Sequence, residues 1–434
     1  MGMFENTIRY NNNNNKHPVE TLTEDFDSIL YESHLAAYNQ RAVRHQITQL
    51  SQDDISYYID PDLAVFERGN NFRNDEGMLG NWIRAYVNAL GEPLKTILAE
   101  DGNLKPDRLT DKEITQIATA VVNFQEGYSD IGPDADLRKY SIGDVEPAVP
   151  NPKRIVPWYN KIRSPNQLTT TRKILEASQQ AAELKLKPCL YIEKDVIANQ
   201  SAATKMINLL SSVDVDECFL IIENLDKNET DGDEYIAVID FVYNLSAANI
   251  APHFLYGDYF SHLLYYFGLE GTTYGTLYAE EREEALKSHG GGGMSKRFYF
   301  NTIREFLSIP GAADIGKQLG VPVCDCSVCQ RHFKDWDDFL ETLGDGDADL
   351  DEESGDDSPN NALNIAQKHY LEMRWRHTME VQENSLEEIR EILVKNLERS
   401  SSVFKSSRQI SSRKNLKYIS KWLYSTEERK GLAK

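Results

Sequence analysis

The sequence predicts an α/β fold of the (β/α)8 TIM-type barrel class, and three observations carry that expectation. Between residues 173 and 268, short and nearly continuous apolar runs alternate with helical stretches. Runs of this kind are what strands show when helices cover both faces of a parallel sheet, and their repetition marks βα units. No G-x-G-x-x-G segment follows any of them, which weighs against a dinucleotide-binding sheet and for a closed barrel. At 434 residues the chain can hold such a barrel and additions to it.

Taken in order, residues 1–18 contain the tract NNNNN at 11–15 and are expected to be disordered. The barrel is expected over 19–290. Phe26, Ile29, Leu30, Leu35 and Ala36 give residues 20–50 a helical rhythm. ISYYIDPDLAVF (55–66) reads as a buried strand ending at Asp60-Pro61-Asp62, because the residue before proline disfavours helix. Thr110 with Glu113 three places on opens a capped amphipathic helix that Gly127 stops. Residues 142–166 read as a loop. Then follow the strands PCLYIEKDV (188–196), ECFLIIENL (217–225) and APHFLYGDYF (251–260), with helices before, between and after them. GGGG at 290–293 reads as a hinge.

The formal net charge is −22, unevenly spread. Asp335–Asp357 holds twelve acids and no Lys or Arg, whereas Ser401–Lys434 holds nine Lys or Arg against two Glu. An acidic whole with a basic end is compatible with a polyanion partner at that end, where Tyr418, Trp422 and Tyr424 can stack on a base or pack on the barrel. The acidic run reads as a surface insertion at 335–360. A calcium loop begun at Asp345 fails, since Leu350 and Asp356 stand where glycine and glutamate are required. No apolar run approaches the roughly 18–20 residues that span a bilayer, and the N-terminus lacks the features of a signal peptide. The expectation is a cytoplasmic protein with no membrane partner.

Three of the five cysteines crowd into VPVCDCSVCQ (321–330). In a reducing compartment they do not make a disulfide scaffold. Cys324, Cys326 and Cys329 can place three thiolates on one ion, and a closed tetrahedral zinc site then wants a fourth ligand. His332, His369 and His377 are the candidates, with His369 preferred because its amphipathic helix can return to the cysteine turn and His377 second. Such a Zn2+ is structural and contributes folding energy, not chemistry. These residues define a zinc-binding subdomain over 291–385, followed by a helical basic tail over 386–434.

The C-x-C-x-x-C turn followed by HYLEMRWR, at the end of a βα barrel, resembles the tRNA-guanine transglycosylase superfamily, with Cys324, Cys326, Cys329 and His369 as the matching residues. KRFYFNTIREFLSIPGAADIGKQLGVPVCDCSVC is similar to that family's arm leading into the zinc turn. APHFLYGDYFSHLLYYFGLEGTTYG resembles its last two barrel strands and the helix between them. The similarity spans residues 185–385. The family exchanges guanine in a polynucleotide for a 7-deazaguanine base: one aspartate attacks the anomeric carbon to give a covalent glycosyl-enzyme, and a second handles protons. The resemblance therefore implies a transferase with a nucleic-acid partner, DNA or tRNA, and a 7-deazaguanine substrate.

The sequence departs from the family pattern. T-D-S-G-G-F-Q has no clear counterpart, and GLEGTTYG puts Thr273 where the nucleophilic aspartate of the final strand would stand. The loss of the tRNA-type signatures, with no obvious appended RNA-binding domain, favours the divergent branch that modifies DNA, whereas Thr273 at the nucleophile position favours a non-catalytic subunit. The candidate catalytic carboxylates are Asp60, Asp62, Asp258 and Glu270, and Glu193, Asp195, Glu223 and Asn224 at strand ends are candidates to grip a base edge. Three other readings stand beside this one: a tRNA-modifying enzyme, a non-catalytic zinc-bearing subunit that partners a catalytic relative, and a zinc-stabilised barrel hydrolase of unknown substrate. Homodimerisation is compatible with each.

Overall fold

A computed structural model describes residues 4–10, 16–67, 72–74, 77–129, 149–276, 297–344, 362–406 and 416–434. The asparagine tract, GGGG, the calcium alternative at Asp345 and nearly all of the acidic insertion after Leu343 lie outside the described residues.

Eight parallel strands curl into one sheet: β1 (Glu5–Tyr10), β2 (Ser28–Glu32), β3 (Ser56–Asp60), β4 (Lys161–Ile162), β5 (Cys189–Glu193), β6 (Glu217–Glu223), β7 (Ala251–Leu255) and β8 (Gly271–Tyr274). Their order is β3-β2-β1-β8-β7-β6-β5-β4, so the first strand pairs with the last, Glu5 opposite Gly271. This is the (β/α)8 barrel architecture that the strand–helix alternation predicts. Among the described residues no ladder joins β3 to β4. That seam is bridged by the Lys153 amide on the Tyr57 carbonyl at 2.8 Å and by the Tyr159 hydroxyl on Asp60 at 2.8 Å.

The helices of the first half are α1 (Lys16–Thr21), α2 (Ser33–Tyr38), α3 (Gln40–Leu50), α4 (Asn81–Leu90), α5 (Leu94–Glu100) and α6 (Asp111–Glu126). In α6 the Thr110 hydroxyl accepts from the Glu113 amide while the Glu113 carboxylate accepts from the Thr110 amide, the capping box read from the sequence. The second half adds α7 (Leu168–Ala181), α8 (Lys194–Ile197), α9 (Gln200–Ser212), α10 (Gly232–Ala247) and the short α11 (Tyr259–Leu263).

Three expectations are corrected, the first being the loop read over 142–166, which contains the short barrel strand β4. Residues 5–10, expected to be disordered, form the buried strand that closes the sheet. Its inward side chains Glu5, Thr7 and Arg9 are polar and find partners far along the chain, so no apolar run announces the strand. Likewise β2 interrupts the helix expected over 20–50. Ile29 and Leu30 belong to a strand buried on both faces, whose spacing to Phe26 imitates a helical stripe.

After the barrel come the hairpin β9 (Arg297–Phe300) and β10 (Glu305–Ser308), then α12 (Ile309–Leu319), α13 (Ser327–His332), α14 (Trp336–Leu343), α15 (Ala362–Glu383), α16 (Leu386–Ser406) and α17 (Lys417–Glu428). Helix α15 lies against the barrel: the Thr378 hydroxyl donates to Asn6 Oδ1 at 2.9 Å and Gln367 Nε2 to Thr276 Oγ1 at 3.1 Å. Helix α17 packs on α10, burying Tyr418 and Trp422, and Arg429 pairs with Asp240. Two of the three tail aromatics are thus core, not a stacking platform; Tyr424 stays exposed.

Candidate active site and metal centre

Alternate residues of every barrel strand point inward, and at the C-terminal mouth four strands end on acids. Glu32 closes β2, Asp60 β3, Glu193 β5 and Glu223 β6. Glu32 and Asp60 are register partners, as are Glu193 and Glu223. Barrel enzymes keep their reacting groups at this face.

Each acid is held by its own partners. The Asp60 carboxylate, buried, accepts from the Tyr159 hydroxyl at 2.8 Å and from the Asp62 amide at 3.1 Å. Asp62 follows on a positive-φ bend, partly accessible, 3.4 Å from the same hydroxyl. Glu32 pairs with Arg9 and lies 3.0 Å from His34 Nε2, and the Arg9 guanidinium covers the Tyr256 ring at 4.3 Å. The Lys161 ammonium, almost inaccessible, contacts Glu223 and stands 2.7 Å from Glu193. Tyr191 donates to Glu223 Oε1 at 2.5 Å. The mouth is therefore a ring of carboxylates threaded with a few cations and phenols.

The sequence candidates divide accordingly. Asp60, Asp62, Glu193 and Glu223 share the mouth. Asn224, with φ 61, turns the chain just beyond β6 and is exposed, and Asp195 is exposed in the first turn of α8. Asp258 lies past β7 on the mouth side, where its carboxylate caps α11 by accepting from the Phe260 amide at 2.8 Å. Glu270 does not join them. It precedes β8, its carbonyl accepts from the Glu5 amide at 2.8 Å, and its exposed side chain sits at the opposite end of the barrel. Glu270 lies just before β8 begins while Thr273 lies within it, so the ascending strand carries Thr273 away from Glu270. Arg9, Glu32, Tyr159, Lys161 and Tyr256 were missed. Arg9 and Glu32 stand in strands the pattern hid, and the other three are ordinary-looking positions that only the closed barrel brings to the mouth.

At the N-terminal end the interior is plugged by ions. Glu5 receives Lys153 at 2.7 Å and Lys187 at 3.4 Å, and Lys187 also reaches Glu217 at 3.1 Å. Burial raises the Glu5 pKa, but Lys187, His253 and Lys153 outweigh it and hold the carboxyl well below the usual range. Glu5, Glu217 and His253 converge closely enough to hold a metal. The buried Lys187 ammonium already supplies the positive charge there, so we read this cluster as a structural plug.

The second constellation is the Cys3His group. Cys326, Cys329 and His369 are buried and Cys324 partly so, and their ligand atoms lie within 4.8 Å of one another. His369 Nδ1 is 3.3 Å from both Cys326 Sγ and Cys329 Sγ. Tetrahedral bonds of about 2.3 Å to sulfur and 2.0 Å to nitrogen imply sulfur–nitrogen edges near 3.5 Å, so the donor set fits one ion. The other ring nitrogen donates to the Tyr299 carbonyl at 2.8 Å, which leaves Nδ1 free to ligate. Phe298 stacks on the imidazole with ring centroids 4.1 Å apart. Glu372, one turn along α15, accepts from the Ser327 and Val328 amides and the Ser327 hydroxyl and so pins the cysteine turn.

His377 is not part of this group. Its Nε2 is engaged 2.8 Å from Asn301 Oδ1 and 2.9 Å from Arg304 Nη1. His332 ends α13 outside the cluster. The group can hold a metal ion, and the four residues read from the sequence are those that converge.

No helix among the described residues is long and apolar enough to cross a membrane. No family model and no curated protein matches the sequence. Among solved structures, xylanase B from Clostridium stercorarium F9 superposes with a TM-score of 0.33 at 10% identity, over 62% of this chain and 85% of that one. A likeness of that size decides nothing about this chain.

Proposed function

We propose that the protein is a transglycosylase that exchanges guanine in a polynucleotide, DNA in preference to tRNA, for a 7-deazaguanine base. The observation that carries the reading is the pair Asp60 and Asp62 at the mouth of a barrel buttressed by a Cys3His helix. Zn2+ is the ion we assign to Cys324, Cys326, Cys329 and His369; bound there, it supplies folding energy and takes no part in the reaction.

In this reading Asp62, the more accessible carboxylate, attacks the anomeric carbon of the target deoxyguanosine, or of guanosine in tRNA. The bond from that carbon to N9 breaks and guanine leaves with the electron pair, protonated from Asp60 through Tyr159. The ester joins the enzyme to the sugar's anomeric carbon as in retaining glycosidases. The incoming base gives its N9 proton back to Asp60, its nitrogen attacks the anomeric carbon, and Asp62 is released. Glu193, the more open of the β5–β6 pair, accepts from base N–H groups, while Lys161 and Tyr191 fix Glu223 beside it.

The test is incorporation of a labelled 7-deazaguanine into guanine-containing duplex DNA and, separately, into tRNA. Label entering DNA, and lost in Asp62→Ala, supports the reading; label entering tRNA alone moves the protein to the tRNA-modifying branch. A second reading, a non-catalytic subunit of such an enzyme, is favoured by Thr273, buried on β8 where a nucleophile would stand. No label in either acceptor with folded, metal-loaded protein would overturn catalysis by this chain alone.

A further inference from the structure

We propose that Arg374 is a positioning residue through which the metal centre sets the loop Tyr256–Asp258 at the barrel mouth. The inference rests on reading the Cys3His group as a bound-metal site and does not depend on which reaction the mouth performs. His369 and Arg374 stand five residues apart on α15 and so point to different sides of one helix, about 7.5 Å apart along its axis. His369 meets the cysteine turn, and Arg374 meets the barrel.

Arg374 is completely buried. Its Nη2 donates to the Gly257 carbonyl at 2.9 Å and stands 3.4 Å from Ser261 Oγ, and its guanidinium covers the Tyr274 ring at 4.7 Å. The Ser261 hydroxyl in turn donates to the Asp258 carbonyl at 2.6 Å. The turn it grips has no slack. A Cβ on Gly257 would come within 2.3 Å of Thr272 Oγ1, and Tyr256 is held at φ 63. Both flanks of the turn carry mouth groups: Tyr256 lies under Arg9, and Asp258 caps α11.

The helix that offers a metal ligand thus also clamps main chain at the mouth. With the ion bound, the cysteine turn and Glu372 fix the first half of α15 and keep Arg374 on Gly257. With it removed, three thiols and an imidazole lose their common partner, and the clamp loosens with them. Arg374 binds main chain, not a reacting atom, so its role is to position.

Hydrogen exchange on the full chain loaded with Zn2+ tests this. Removing the ion with a chelator is expected to speed exchange of the Gly257, Phe260 and Ser261 amides about 10-fold, with the strands β4–β6 unchanged. Arg374→Lys, still binding one Zn2+ per chain, is expected to show the same acceleration with the ion present, and chelation is expected to add less than about 2-fold. Unchanged exchange over residues 254–263 on chelation of the wild type would overturn the proposal, as would acceleration spread evenly over all eight strands. If Arg374→Lys does not bind Zn2+, the wild-type comparison alone decides.

Discussion

Glu193 and Glu223 are register partners on adjacent parallel strands, and one buried ammonium, that of Lys161, pairs with both. Removing it leaves two carboxylates side by side, one of them fully buried. We expect Lys161→Met to cost about 3–5 kcal/mol of unfolding free energy, read from urea denaturation. Adding Glu223→Gln is expected to recover a large part. A single-variant loss below about 1 kcal/mol would show that the mouth tolerates the uncompensated pair.

Tyr159 bridges the open seam of the barrel to reach Asp60 and Asp62. If it relays the proton between base and Asp60, Tyr159→Phe is expected to lower the single-turnover exchange rate about 10–100-fold with little change in substrate affinity. A variant exchanging bases at the wild-type rate would remove the hydroxyl from the mechanism.

The chain is expected to bind one metal ion, measured by elemental analysis of the purified protein. Cys326→Ser and His369→Ala are expected to lose it and to melt at lower temperature, because ligation energy is folding energy in such sites. His377→Ala is expected to keep it, since that imidazole is committed to Asn301 and Arg304. Loss of the ion from His377→Ala alone would reverse the ligand assignment.

His262 and His377 are buried side by side against Arg304 and Arg374. Burial first, then the neighbouring guanidinium groups, holds both imidazoles well below their usual pKa. They stay neutral in the folded chain while the unfolded chain protonates them below about pH 6.5. Their contribution to stability is therefore complete above that pH and falls as acid is added, by up to about 1.4 kcal/mol per pH unit for each histidine. Melting temperature followed from pH 7 to 5 reads the slope. The pair of His→Gln variants should flatten it, which separates this effect from acid release of the metal.

Asp25 shows the opposite sign. Burial, then Glu372 and Glu24, push its pKa up to about 7. The folded chain keeps it protonated where the unfolded chain ionises it, so stability is lost as pH rises from about 4 towards 7. Asp25→Asn is expected to stabilise the protein by about 1 kcal/mol at pH 7.5, discounting for partial exposure, and to make little difference at pH 4. Equal stabilities at both pH values would place the carboxyl in water.

By itself the sequence determined whatever depends on near neighbours. The runs PCLYI, CFLII and PHFL are strands because unbroken apolar stretches need cover on both faces, and Thr110 with Glu113 starts a helix because a capping box satisfies its own orphan amides. Cys324, Cys326 and Cys329 announced a metal turn by density alone. What only the tertiary structure decided is everything whose partner lies far away. Glu5, Thr7 and Arg9 make a strand only because Ser28, Lys187 and Glu32 wait inside the barrel. Glu270 and Asp258, twelve residues apart, fall at opposite ends because the chain runs back down outside the barrel before β8 ascends. A buried charge is stable only where its counter-charge is delivered, and that delivery is made by closure of the sheet, which no local pattern encodes.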